Sequence, residues 1–481
     1  MRFLTLCLLA LVSSTVLAQQ YDLVIEGGRV LDPETGLDAT RNVGVTGGKI
    51  ARISADPLSA KRVITAKGLV VAPGFIDLHQ HGQDLDSGRV KALDGVTTAL
   101  EMEIGVPDVA KFLNQKKGHS LINYGTTASH PAARALAFGT TVPEGGIVPK
   151  AGVATDQPAS PEQIQRITER LKQQLAAGGL GVGMGIQYTP GATRLEVIQM
   201  FRLAAEKHVP VFTHVRSVGR VEPGSSIEAI SEVIGAAATT GASLHIVHLN
   251  SSCLKDSAEC LSMVAGARTR GLDITTEAYP YTAGMTDLTS ALFNPGWQEK
   301  LGIDYSALQL PDAGERLTKA RFDELHASAH PHMVVIHSNT QEMVDAVIPN
   351  PLVMIASDGL KGHPRNAGTY SRILAQYVRE KRSLTLMEAI CKMTLMPAQV
   401  LEKSTAAAHA KGRLQEGADA DIVVFDPQTI ADRATYQSPM EPSVGVRYLV
   451  VGGTLLVDQG QLAPDVFPGR ALSAHSSQDA K

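Results

Sequence analysis

Past residue 20 the chain alternates apolar and polar positions with a period of two, the mark of strands with one buried face. "YDLVIEGGRVLDPETG" alternates and is broken by Gly27-Gly28 and Pro33, which predict turns. "RNVGVTGGKIARISA" repeats the pattern, with Gly47-Gly48 as a hairpin turn. Near the other end, "GRLQEGADADIVVFDP" and "VRYLVVGGTLLVDQGQL" again form short strands with glycine turns. β-segments at both ends predict one small β-sandwich built from residues 19–72 and 406–470, followed by a polar tail at 471–481.

Between these segments the period changes. Short apolar runs at 75–81, 97–103, 121–128, 180–188, 210–214, 243–248, 272–278 and 352–358 are mostly separated by helix-length stretches. The clearest helix spans 160–178. Ser160 is its N-cap, Pro161 opens it, Gln163 completes a capping box and Gly178-Gly179 ends it. Ile164, Ile167, Leu171 and Leu175 form one apolar stripe. This alternation over 73–405 predicts a parallel (β/α)8 TIM-like barrel with an insertion near 285–345. An open doubly wound sheet is the alternative, weakened because no glycine-rich dinucleotide fingerprint follows a strand.

Charge and composition narrow the partners. Lys+Arg 44 against Asp+Glu 48 leaves a net charge of −4, which argues against nucleic acid or an anionic membrane surface. A small molecule is the expected partner. The opening "MRFLTLCLLALVSSTVLAQQ" carries one positive charge, an apolar run too short to span a bilayer, and small residues ending at Ala18. It predicts a signal peptide over 1–18, export to the periplasm or beyond, and no stable membrane anchor. Cys7 would leave with it, and Cys253, Cys260 and Cys391 remain. An odd count does not make a disulfide framework, so buried thiols are expected, although Cys253 and Cys260 could pair.

The chemistry gathers at strand ends, where such barrels keep their active sites. His79 and His81 end the first strand, Glu101 and Glu103 the second, His214 the fifth, His248 the sixth and Asp358 the eighth. Any one of these alone is an ordinary polar strand end. Four histidines and several carboxylates at the same end of different strands predict a metal site. Imidazole with carboxylate suits Zn2+, one or two ions, with cobalt, manganese or iron as other options. His79, His81 and Asp358 would hold one ion, and His214, His248 and a strand-2 glutamate the other. Glu103 is favoured over Glu101, although both face the same side of the strand. Asp358 is expected to act as general base and acid in hydrolysis of an amide or related C–N bond. His245, three residues before His248, is expected to pack in the core.

These residues resemble the N-acyl-D-amino-acid deacylases (D-aminoacylases, including D-glutamate deacylases) of the amidohydrolase superfamily. The likeness runs through "PGFIDLHQH", "GVTTALEMEIG", "FTHVR", "IVHL", "EAYPYTAG", "ASDGLKGHPRNAGTYSRIL" and "GRLQEGADADIVVFDPQTIADRATY". It implies a metal-bearing barrel with a small β-sandwich, and hydrolysis of an N-acyl-D-amino acid to a carboxylate and a free D-amino acid. Residue by residue it implies His79, His81, His214 and His248 as ligands and Asp358 as the general acid/base. The chain departs from the family on strand 2, where Ile104 stands in place of a cysteine ligand beside Glu103. It also has Asn250 where relatives often carry lysine, and no strand-4 lysine of the kind hydantoinases and dihydroorotases carboxylate.

An N-acyl amino acid carries an α-carboxylate, which calls for Arg, Lys, Tyr or backbone donors. Arg365 is the first candidate, followed by Tyr188, Tyr279, Tyr281, Arg216 and Arg372; His130 and Arg134 are weaker ones. The strand-2 sequence resembles that of D-glutamate deacylases, and this resemblance leans toward N-acyl-D-glutamate. The competing functions are another amidohydrolase (a dipeptidase, lactamase or other cyclic-amide hydrolase) and, remotely, a non-catalytic binding protein.

Overall fold

The computed structural model describes residues 20–474 apart from 145 and 312. The expected signal peptide and most of the polar tail lie outside the described residues. No helix among the described residues is long and apolar enough to cross a membrane.

The middle of the chain forms eight parallel strands: β1 (Phe75–Asp77), β2 (Val96–Val106), β3 (Asn123–Ser129), β4 (Val182–Gly185), β5 (Val211–His214), β6 (Leu244–Ile246), β7 (Ile274–Ala278) and β8 (Val353–Ile355). They neighbour one another in chain order. Closure between β1 and β8 is made just past the strands, where Gln80 bridges Gly359 and the His81 amide donates to the Gly359 carbonyl at 2.9 Å. The strands are buried on both faces, so they read as near-continuous apolar runs. The helix Pro161–Ala176 has the cap and box expected of Ser160 and Gln163, and Ile167, Leu171 and Leu175 face the core. The doubly wound alternative is thereby excluded.

Strands from both termini join in one nine-stranded mixed sheet. Val70–Pro73 runs antiparallel to Ile422–Phe425 and stitches the two halves together. Leu23, Ile25, Val43, Val71, Ile422 and Val424 share one apolar core, so neither half is complete alone. Gly47 and Gly48 both take positive φ, as a tight two-residue hairpin requires. Gly27-Gly28 is not a turn. The strand Gln20–Asp32 runs through it, with a register shift between Ile25 and Gly28 and Gly27 at φ 69°, so the pair makes a bulge. Residues 471–474 are not yet a free tail: Ala471 pairs beside Tyr124, and Leu472 is buried among barrel residues.

The insertion after β7 is a small unit with its own core. Gly284–Asp287 and Leu308–Gln309 flank Met333–Ile336 in an antiparallel sheet, packed around Phe293, Trp297, Phe322 and Val334. It stands over the C-terminal mouth of the barrel, because Met285, Leu292 and Ile336 line the cleft there.

Candidate metal centre and active site

Six side chains converge at the C-terminal ends of the barrel strands. Glu103 sits at the middle. Its Oε2 lies 3.0 Å from both His79 Nε2 and His81 Nε2, while its Oε1 lies 2.7 Å from His214 Nδ1 and 3.1 Å from His248 Nε2. Asp358 Oδ1 is 3.4 Å from the Nε2 atoms of both His79 and His81. Two donor groups result, His79–His81–Glu103–Asp358 and Glu103–His214–His248, each with donor atoms within 4.8 Å of one another. Glu103 belongs to both.

The backbone is bent to deliver these groups. β2 loses its regular pairing with β3 between Glu101 and Val106, and Gly105 takes φ 69°. Glu101 accepts the Ile104 and Gly105 amides of this bulge at 3.2 and 3.3 Å with Oε1, and His81 Nδ1 at 2.6 Å with Oε2. Glu101 therefore orients His81 rather than joining the cluster, and Glu103, further along the same face, reaches the centre. His248 and Asp358 hold φ of 28° and 50°, a conformation that costs an L-residue of order 1–3 kcal/mol and concentrates at functional sites.

Each imidazole has its outer nitrogen held. Glu277 Oε1 accepts from His79 Nδ1 at 2.6 Å, Ser252 Oγ lies 3.2 Å from His248 Nδ1, and Gln187 Oε1 contacts His214 Nε2. Such partners fix tautomer and ring orientation in metal sites. Glu277 was not legible as a site residue, although a carboxylate inside the apolar strand "ITTEAY" is its signal. His245 is buried as expected, yet it is no plain packing residue: its Nε2 bonds Glu277 Oε2 at 3.0 Å and its Nδ1 bonds Thr275 at 2.8 Å. His245, Glu277 and His79 thus form a relay of contacts into the centre.

Electrostatics at the centre call for a cation. Burial pulls the His79 imidazolium down, but Asp358 and Glu103 beside it carry the group up to about 10. His81 is raised well above its usual value by Glu101, Asp358 and Glu103, again against burial. Burial would raise Glu103, yet His79, His214 and His248 hold it far below the ordinary carboxylate range. The inner Nε2 atoms of His79 and His81 face each other at 3.1 Å across ionised oxygens. Nitrogen lone pairs and carboxylates converging in this way fit divalent transition-metal ions.

The other expected residues divide. Arg365 is fully buried, its Nη2 lies 2.9 Å from Asp358 Oδ2, and its guanidinium stacks 4.6 Å from the Tyr279 ring centroid. Its Nε and Nη1 have no hydrogen-bond partner. Tyr188 and Tyr279 line the cleft. Arg216 does not reach it, being held bidentately by Glu232 at 2.8 and 2.6 Å. Arg372 pairs with Asp432 at 2.7 Å and covers the Tyr281 ring, so these two fasten the barrel to the C-terminal segment. His130 and Arg134 both grip buried Glu196. Ile104 packs against Tyr188 and Val148, and Asn250 donates to the Tyr279 carbonyl at 3.2 Å. Cys253 and Cys260 form a disulfide, with Cα atoms 6.6 Å apart, contrary to the expectation of free thiols. A seven-residue spacing meets in space because the turn Leu254–Asp256 folds the helix Ser257–Thr269 back beside the helix Leu249–Cys253, which the spacing alone does not reveal.

A parallel barrel with a bridging carboxylate, four imidazoles and a strand-8 aspartate at its mouth defines a metal-dependent hydrolase. The amidohydrolase family model matches residues 125–457, and the chain belongs to that family. It is 30% identical to an N-acyl-D-glutamate deacylase and 27% to a D-aminoacylase, both of Alcaligenes xylosoxydans xylosoxydans, each match covering 95% of this chain and 98% of the relative. The crystal structure of N-acyl-D-glutamate deacylase from Bordetella bronchiseptica, complexed with zinc and a phosphonate inhibitor, superposes with a TM-score of 0.80 at 26% identity, covering 95% of this chain and all of that one.

Proposed function

We propose that this enzyme hydrolyses N-acyl-D-amino acids to a carboxylate and a free D-amino acid. The observation that carries this reading is the Glu103-bridged cluster with Asp358 set between it and a buried arginine. The deacylase relatives support the amide and its stereochemistry. A pair of divalent ions, zinc by preference, is the proposed cofactor; when bound, such ions polarise a carbonyl and lower the pKa of water at the site. His79, His81, Glu103 and Asp358 would hold one ion, and Glu103, His214 and His248 the other.

The remaining steps belong to the chain's own groups. Burial would raise Asp358, but Arg365 and His79 hold its carboxyl well below the usual range, so it is ionised and ready to accept a proton from water. As the C–N bond breaks, the same carboxyl returns that proton to the departing nitrogen. Arg365, stacked on the Tyr279 ring, takes the α-carboxylate with Tyr279 beside it, because its buried N–H groups lack partners and a buried donor needs one. Of the other arginine candidates, Arg216 is held by Glu232 and Arg372 by Asp432, and among the described residues no lysine or arginine lines the cleft itself, so beyond Arg365 no cation waits for a second carboxylate. The proposed side chain is therefore uncharged, against the glutamate lean of the strand-2 sequence.

Export completes the proposal. The N-terminal sequence supports it, and so does the Cys253–Cys260 disulfide, a bond that persists in oxidising compartments. Mass spectrometry of protein recovered from the periplasm should find the mature chain starting at residue 19. Activity is tested by amine release from paired N-acetyl-D- and N-acetyl-L-leucine, methionine, glutamate and aspartate. Release from D-leucine and D-methionine derivatives alone supports the reading, and release from the L-forms overturns it.

A further inference from the structure

A second cavity adjoins the active-site cleft. The two share Leu301 and Ser338 as a common wall. The free volume over the metal-binding residues is only about 50 Å³, whereas the neighbouring cavity holds about 340 Å³. Its walls include Val221, Leu254, Ile303 and Met343. Arg220 is paired with Asp256 at 2.7 Å, and Lys255, Glu299 and Lys300 complete a lining whose exposed surface is mainly apolar.

The position of this cavity tells which end of a substrate it meets. Asp358 protonates the departing nitrogen, so the amino-acid half of the substrate lies on its side, with Arg365 and Tyr279 after β8 and β7. The acyl half must then leave the reacting carbonyl in the opposite direction, toward His214 and His248. The second cavity is built on that side, from residues 219–221 after β5 and 254–256 after β6. A cleft with so little room cannot hold a long acyl group by itself, and the larger space begins where Leu301 ends. Leu301 is half-buried on the insertion, and a leucine side chain can swing aside without disturbing a strand.

We propose that this cavity is an acyl subsite, and that the enzyme acts on N-acyl-D-amino acids bearing an unbranched apolar acyl chain of several carbons in preference to N-acetyl ones. The proposal rests on the deacylase reading. The test is kcat/KM of the zinc-loaded enzyme for N-acetyl-, N-butanoyl-, N-hexanoyl- and N-octanoyl-D-leucine. A buried methylene contributes up to about fourfold, so the series should rise at least ~10-fold from acetyl to octanoyl. Val221→Trp, which fills the cavity from a loop outside the catalytic machinery, should abolish that rise and leave N-acetyl turnover unchanged. Met343→Trp repeats the test from another wall if the first variant does not fold. A flat series with acetyl turnover intact overturns the subsite while the deacylase stands. If no chain length is hydrolysed, the deacylase reading fails instead. Calorimetry with octanoate then judges the cavity by itself: binding lost in Val221→Trp sustains it, and no binding to the wild-type protein overturns it.

Discussion

His79 Nδ1 lies 2.6 Å from Glu277 Oε1, and both side chains are buried. Burial opposes the charge on Glu277, yet hydrogen bonds from His245 and His79 lower it to about 2. An ionised carboxylate can only accept, so Glu277 keeps a proton on Nδ1, and a cation that displaces the Nε2 proton would meet that nitrogen's lone pair at the centre. Glu277→Gln can present an N–H instead and lose that tautomer. It should weaken metal affinity by about 10–100-fold, read by competition with a chromophoric chelator, with the fold retained by circular dichroism.

Asp358→Asn removes the group that carries the proton from water to nitrogen. The expected loss in kcat is about 10²–10⁴-fold, with KM little changed. The Glu103–His214–His248 donor group is untouched by this change, so metal should still be found by plasma emission analysis. Full activity in this variant would refute the assigned role.

Arg365→Met should act on binding and on acidity together. It removes the guanidinium 2.9 Å from Asp358 and leaves Tyr279 without its stacked cation. KM should rise by about two orders of magnitude, the scale of a buried charge-assisted pair. The acidic limb of the pH–rate profile should also move upward, because Arg365 is the largest influence lowering Asp358 against burial.

Asp94 gives a prediction about stability. It accepts the backbone amides of Tyr370 and Ser371, both at 2.9 Å, and so anchors the helix Arg365–Arg372. Burial pushes its carboxyl up to about 6 despite those hydrogen bonds. A folded-state value above the unfolded one means that the favourable contribution is complete below about pH 3.8 and disappears as pH rises through about 6. Its full size is about 3 kcal/mol at most. Asp94→Asn should lose about 1–3 kcal/mol through a missing acceptor. Compared with the wild type, it should show a smaller decline in urea-unfolding free energy between pH 4 and 7.

The barrel and the gathering of most candidate site residues at its mouth were legible because both follow from local pattern. Eight apolar runs ending in His79, His81, His214, His248 and Asp358 need only the rule that barrel chemistry sits at strand ends. Glu101 and Glu103 could not be separated by alternation, since both point inward. The bulge at Gly105 and its capture by Glu101 decide between them, and these are tertiary events. Arg216 and Arg372 had the right charge, but their partners Glu232 and Asp432 come from other elements, 16 and 60 residues away. Glu277 and the disulfide were hidden for the same reason, because each acquires its meaning from a residue brought close by folding.

The measurement that bears most directly on this account is anomalous diffraction from crystals of the zinc-saturated enzyme. The account predicts two peaks about 3.5–4 Å apart, the spacing of two-ion hydrolytic sites. One should lie beside His79, His81 and Asp358, the other beside His214 and His248, with the Glu103 carboxylate between them. Zinc bound without Glu103 among its ligands, or at neither cluster, would contradict it.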